Sequence, residues 1–210
     1  MSSKKVGIVD YGMGNLFNIA RVLESVNCNV EVTESPEDLK LYDYLIIPGV
    51  GAFEKAIANL NNKNLSPAIH EFVKTGKPVI GICLGMQLLF EKSFEFGCHD
   101  GLGLIKGNVR KFDFNGNKLF KIPHIGWNSV QYKYEQIDPA FKGISDSSYF
   151  YFIHSFYCAP DEDTDVIGLT QYGEQLFCSV ARKDNVLGCQ FHPERSGTIG
   201  VKIFQSFINL

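Results

Sequence analysis

The feature that most constrains this chain is the run of short apolar stretches in its first ninety residues. "KVGIV", "YLII" and "PVIGIC" are continuous and rich in β-branched residues. Stretches apolar at every position fit strands buried on both faces. Between them lie segments of helical period. "NLFNIARVLESV" puts Leu16, Ile19, Ala20 and Leu23 on one face, with Asn15 placed to cap it. Ser66-Pro67 opens another helix that runs to about Lys74 and stops at Gly76. "NVEVTES" reads as a short alternating strand, Ser35-Pro36 as the start of a brief helix through Leu39, and "LGMQLLFEKS" as a helix. "YDYLIIPGVGAF" reads as a strand stopped by Pro48 and Gly49. Strands joined by helical crossovers imply a mostly parallel sheet with helices on both faces, an α/β fold.

From about Gly101 the texture changes. "GNVRKFDFNGNKLFKIPHIGWNSVQYKY" holds an "NGN" turn signal between strand-like stretches. "SSYFYFIHSFYCAP", "DVIGLTQYG" and "FCSVARKDNVLGCQFHPE" continue the strands. "TIGVKIFQSFINL" reads as a closing helix with Ile199, Ile203, Phe204 and Phe207 on one face. No repeat, low-complexity tract or linker interrupts residues 1–210. The expectation is a single α/β domain: a mixed, mostly parallel central sheet, helices on both faces, and additional antiparallel strands.

Charge and composition narrow the function. The formal net charge is -3, and no basic stripe offers a nucleic-acid surface. The one like-charge cluster, "PDEDTD", reads as a solvated loop. No stretch approaches the ~20 apolar residues of a spanning helix. The apolar run near the N-terminus is too short for a signal peptide, so a cytoplasmic location is expected. Cys28, Cys83, Cys98, Cys158, Cys178 and Cys189 show no C-x-x-C spacing, which points away from a metal site and toward free thiols, mostly small buried hydrophobes. The "YGMGN" loop lacks the third glycine of a dinucleotide fingerprint, so no nucleotide cofactor is expected.

Cys83 lies at the carboxyl end of a predicted strand and the start of a predicted helix, where ligands of open α/β sheets bind. It sits in Gly81-Ile82-Cys83-Leu84-Gly85, small residues flanking a nucleophile at a sharp turn. Unpaired N–H groups at a helix start favour a thiolate. Taken alone, G-x-C-x-G also describes a buried cysteine between packing glycines. "QFHPER" supplies the base and orienter that a catalytic cysteine needs. His192 and Glu194, two apart in an extended segment, point the same way, so Glu194 can hold the imidazole against the thiol. Alone, H-P-E reads equally as a polar loop. "IPGVGAF" adds glycines that can turn a backbone N–H toward an oxyanion, or simply end a strand. The three segments together favour the nucleophile reading.

"GICLGMQ", "HPE" and "PGVG" resemble the active-site signatures of the class I, triad-type glutamine amidotransferases. "DYGMGN", "PGVGAF", "GICLGMQLLFE", "PHIGWN", "FIHSFY" and "HPERSG" are similar, more narrowly, to the glutaminase subunits of imidazole glycerol phosphate synthases, over nearly the whole chain. The resemblance implies that Cys83 attacks the glutamine carboxamide, that His192 moves the proton and that Glu194 orients His192. It places the oxyanion N–H groups at Leu84 and the Val50–Gly51 loop. Gln87, Glu95, Ser155 and Phe156 would hold glutamine, and Asn15, Trp127 and Arg195 would meet the partner. That partner would be a (β/α)8-barrel cyclase of histidine biosynthesis, in a heterodimer, with no cofactor or metal. Arg195 departs from the lysine common in this group. His154 reads as structural, and His70, His99 and His124 receive no role. Other readings stay open: a paralogous glutaminase feeding another synthase, such as one amidating a surface sugar, a vitamin B6-type glutaminase, against which "DYGMGN" and "HIGWN" argue, a cysteine peptidase of related fold, and a non-catalytic flavodoxin-like binding module.

Overall fold

The computed structural model describes residues 4–114, 116–117, 119–133 and 137–210. The first half alternates as expected: β1 Lys5–Val9, α1 Leu16–Ser25, β2 Asn29–Thr33, β3 Tyr44–Ile47, α2 Phe53–Asn62, α3 Leu65–Lys74, β4 Val79–Ile82 and α4 Leu84–Leu88. The second half adds β5 Phe90–Ser93, β6 His99–Asp100, β7 Ile105–Lys111, β8 His124–Tyr132, β9 Ser148–His154, β10 Phe156–Pro160, β11 Val166–Tyr172, β12 Gln175–Lys183, β13 Val186–Cys189 and α5 Gly197–Phe207. The sheet runs β2-β1-β3-β4-β13-β12-β10-β7-β5-β6, with β11, β8 and β9 branching from β12. The strands from β2 to β13 are parallel, and antiparallel pairing begins where β13 meets β12.

Apolar runs in the parallel strands serve two cores. Leu45, Ile47 and Val79 face α2 and α3, packing with Phe53, Leu60, Ile69 and Phe72. Ile8, Ile46, Ile80 and Ile82 face the other way, toward Ile19 and Leu23 of α1 and Ile203, Phe204 and Phe207 of α5. Alternate side chains of one strand point to opposite faces, so both faces need apolar residues. That is why these strands read as continuous apolar runs.

Several local expectations need correction. Helix α2 follows the "PGVG" loop directly, where the sequence expectation has only a strand and its end. Phe53, Ala56, Ile57 and Leu60 carry the helical spacing, and all are buried. Helix α4 is far shorter than "LGMQLLFEKS" implies. Every residue of α4 is buried, so continuing it would carry Glu91 and Lys92 toward the core. Instead the carbonyls of Leu88 and Leu89 accept from the N–H groups of Leu102, Leu104 and Ile105, and the chain turns into β5. Asn15 and Ser35 occupy N-cap positions without side-chain cap bonds. The "NGN" signal includes Asn115, which lies outside the described residues. The strands flanking it, β7 and β8, pair with other strands and not with each other. In "PDEDTD", Asp163–Asp165 form a single 3-10 turn, and Asp165 is buried with Lys183 3.4 Å away. No helix among the described residues is long and apolar enough to cross a membrane.

Candidate active site

Parallel register brings three distant segments together. Ile47 of β3 lies beside Gly81 of β4, and Ile82 beside Cys189 of β13. The residues beyond these three ends are Pro48–Gly51, Cys83 and Gln190–Glu194. All emerge on one edge of the sheet, where an open α/β sheet binds its ligand.

Cys83 itself holds a left-handed backbone, φ 55° and ψ -110°, unusual for a residue with a Cβ. Its N–H donates to the Cys189 carbonyl at 2.7 Å, which ties the elbow to β13. The turn is too tight for side chains on its flank. A Cβ on Gly85 would stand 1.8 Å from the Ile47 carbonyl oxygen, and one on Gly81 would stand 2.6 Å from the Gly85 oxygen. The glycines let strand end and helix start touch. The Cys83 sulfur is 3.8 Å from the Ile153 carbonyl and 3.8 Å from the Gln190 side-chain amide.

His192 and Glu194 do not share an extended segment. Pro193–Arg195 form a 3-10 turn, because Pro193 presets the first helical φ. The turn still closes the pair: His192 Nδ1 lies 2.8 Å from Glu194 Oε1, and both side chains are buried. A carboxylate only accepts, so Nδ1–H donates and Nε2 faces Cys83. Burial disfavours the imidazolium. The adjoining Cys83 sulfur and Glu194 carboxylate outweigh it and raise the His192 pKa to about 10. The turn is braced from two sides. Ser196 donates to the His192 carbonyl and accepts from Tyr151 N–H, while α5 approaches so closely that a Cβ on Gly200 would stand 1.8 Å from the Pro193 oxygen.

These groups line a cavity of about 550 Å³. Asn15, Val50, Gly51, Cys83, Leu84, Gln87, Glu95, Ser155, Phe156, His192, Glu194 and Arg195 all border it. Trp127 does not. It stands 56% exposed on β8, four residues beyond Pro123, which borders the cavity. Gln87 donates from its amide nitrogen to the Phe156 carbonyl at 3.1 Å and to Gln190 Oε1 at 3.2 Å, which leaves its oxygen to accept. Glu95 accepts from the Phe53 N–H at 2.6 Å and so ties the start of α2. Its second oxygen remains for another donor. Arg195 lays its guanidinium 4.9 Å from the Tyr151 ring centroid, a stacking its planar group suits.

Three further residues here, Gln190, Tyr11 and His154, have no catalytic or binding role in the sequence expectation. Gln190 is fully buried and bridges Gln87 to Cys83. It lies two before His192, a spacing that could have flagged it. The buried Tyr11 hydroxyl donates to the Pro48 carbonyl, bracing the glycine loop. Burial raises its pKa, so it stays a donor. His154 borders the cavity and contacts His124 at 3.0 Å. Five of the six cysteines are buried, Cys98 is exposed, and all are free.

The family model described as "Glutamine amidotransferase class-I" matches residues 7–210. The chain is 47% identical over 205 residues to "Imidazole glycerol phosphate synthase subunit HisH" of Methanocaldococcus jannaschii, covering 98% of this chain and 99% of the relative. It is 44% identical over 203 residues to the protein of the same name from Sulfurimonas denitrificans, covering 96% of each. A solved structure described as "Crystal structure of glutamine amidotransferase" superposes with a TM-score of 0.74 at 17% identity, over 98% of this chain and 99% of that one, a likeness of fold. The chain belongs to the class I glutamine amidotransferases, in the group formed by the HisH subunits of imidazole glycerol phosphate synthase.

Proposed function

We propose that this chain is the glutaminase subunit of an imidazole glycerol phosphate synthase, hydrolysing L-glutamine through a thioester on Cys83. The observation that carries the reading is the meeting of an elbow cysteine and a carboxylate-oriented histidine at adjacent parallel strand ends. The Cys83 thiolate attacks the carboxamide carbon, and the carbonyl electron pair moves onto oxygen. Backbone N–H groups of Leu84 and the Val50–Gly51 loop receive that oxyanion. When the carbonyl re-forms, the C–N bond breaks and the His192 Nε2 proton goes to the departing nitrogen as ammonia. Water then gives a proton to His192 and adds to the thioester carbon. The C–S bond breaks, and glutamate and the thiolate are released. Glu194 holds the tautomer throughout. Gln87 through its free oxygen, Glu95 through its second carboxylate oxygen, and the backbone of Ser155 and Phe156 hold the substrate.

The relatives are named as subunits of a synthase, so a partner subunit is part of the reading. We infer a (β/α)8-barrel cyclase in a cytoplasmic heterodimer, seated near the cavity mouth over Asn15, Arg195 and Trp127 and receiving ammonia for histidine biosynthesis. Val50 is 42% exposed in the glycine loop, within reach of such a partner. A peptide flip there would present either an N–H or a carbonyl to the oxyanion. Losing one such donor typically costs about 10²–10³ in rate, enough to keep the isolated chain nearly idle. Glutaminase turnover in the isolated chain, the complex, and the complex with acceptor nucleotide should rise in that order. Equal turnover in all three contradicts control through this loop, and no turnover in any contradicts the glutaminase assignment.

A further inference from the structure

Behind the cavity wall lies a pair of buried histidines that the reaction sequence above does not use: His154, which lines the cavity, and His124, which contacts His154. His124 and His154 face each other across β8 and β9, in direct register. His124 Nδ1 and His154 Nε2 are 3.0 Å apart, and His154 Nδ1 is 2.7 Å from the Phe156 carbonyl oxygen. Asn128 Nδ2 lies 3.4 Å from His124 Nε2 and donates to the Gln171 carbonyl at 2.9 Å.

Hydrogen-bond chemistry fixes every proton in this row. The Phe156 oxygen can only accept, so His154 carries its proton on Nδ1. Burial lowers the His154 pKa to about 3 and the His124 pKa to about 4, so both rings are neutral at working pH. A neutral His154 protonated on Nδ1 must accept at Nε2, and His124 must donate from Nδ1. His124 Nε2 is then bare, which matches the amide N–H of Asn128 pointing toward it. All three bonds run one way, from Asn128 to the Phe156 carbonyl. Aromatic rings hold the imidazoles in place: Tyr172 and Phe152 stack on His124 with centroids 4.0 and 5.0 Å away, and Phe112 and Phe177 flank His154.

The receiving carbonyl stands at a structural junction. At Ser155 the chain leaves β9, which pairs with β8, and enters β10, which pairs with β7 and β12. The His154 side chain spans that kink by bonding two residues ahead. Gln87 donates to the same oxygen. We propose that His124 and His154 are positioning residues, a tautomer-locked pair that sets the Phe156 carbonyl and with it the Ser155–Phe156 backbone on which glutamine rests. His154 is thereby excluded as a second base, since both of its nitrogens are engaged inside the wall. The assignment rests on the glutaminase reading for its substrate, but not for its proton arrangement.

The test has two arms. Long-range ¹H–¹⁵N spectra of the full chain should show both histidines neutral and protonated on Nδ1, the rarer tautomer, with or without glutamine. An Nε2–H form of either ring overturns the proposal, whatever the chain hydrolyses. In the complex with its partner subunit, His154→Leu removes the donor, whereas His154→Asn keeps an N–H near the Nδ1 position. Loss of one such bond should raise KM for glutamine about tenfold in the leucine variant and change kcat far less. The asparagine variant should recover most of that loss. A KM unchanged in folded His154→Leu, or no recovery in His154→Asn, overturns it. If the leucine variant fails to fold, the asparagine variant and the spectra decide.

Discussion

The parallel ends of β3, β4 and β13 border the same cavity as the end of β9, which pairs with β8, yet they supply it differently. At the parallel ends the strands stop, and the candidate site residues follow them: the glycine loop after Ile47, Cys83 after Ile82, His192 and Glu194 after Cys189. Val50 and Gly51 of the loop line the cavity there together with Cys83, His192 and Glu194. In β8–β9 the two histidines proposed as positioning residues lie within the ladder. His124 and His154 point inward and direct their bonding to each other, to the Asn128 amide and to a carbonyl. The free ends present the groups that the proposed reaction moves, and the closed ladder holds the surface against which it happens.

That contrast can be broken by experiment, starting where the effect should be greatest. His192→Ala should lower thioester formation by about 10²–10⁴-fold, the usual worth of a proton-transferring group. Glu194→Gln should cost less, since it disturbs orientation and leaves the base in place. Single-turnover measurements compare the two directly, and equal or reversed losses would overturn the roles assigned to them. The ladder predicts a smaller, thermodynamic effect. His124 and His154 have folded pKa values depressed to about 4 and about 3, below the ordinary value near 6.5. The unfolded chain therefore binds more protons as pH falls through this window. The stability contributed by neutral burial is whole above about pH 6.5 and is lost progressively toward pH 4, at up to about 1.4 kcal/mol per pH unit for each ring. Denaturant titrations at stepped pH should show a shallower acid decline in His154→Asn than in the wild type. Identical slopes would mean that His154 is not held neutral by its surroundings.

The same contrast explains what was legible in the sequence. The parallel block announces itself, because strands buried on both faces need apolar residues at nearly every position. Cys83, His192 and Glu194 were legible because elbow and turn confine their chemistry to short motifs. The extended reading of H-P-E missed the 3-10 turn that Pro193 sets, but the pairing survived, since a tight turn also brings residues two apart together. The histidine pair was not legible. His124 and His154 are thirty residues apart, and only the register of β8 against β9 makes them partners. Helix α2 is legible in its own spacing, Phe53, Ala56, Ile57 and Leu60, beside the stronger loop signal. The end of α4 was not, because it depends on N–H groups of Leu102, Leu104 and Ile105 taking the carbonyls of Leu88 and Leu89.

The central claim is that Cys83 is the nucleophile for glutamine. It is tested most directly by Cys83→Ala in the complex with the partner subunit, measuring glutamine hydrolysis alongside synthesis from added ammonium salt. The account predicts that glutamine hydrolysis and glutamine-dependent synthesis vanish while ammonium-supported synthesis persists, because the acceptor chemistry lies in the other chain. An alanine variant that hydrolyses glutamine at the wild-type rate would contradict it.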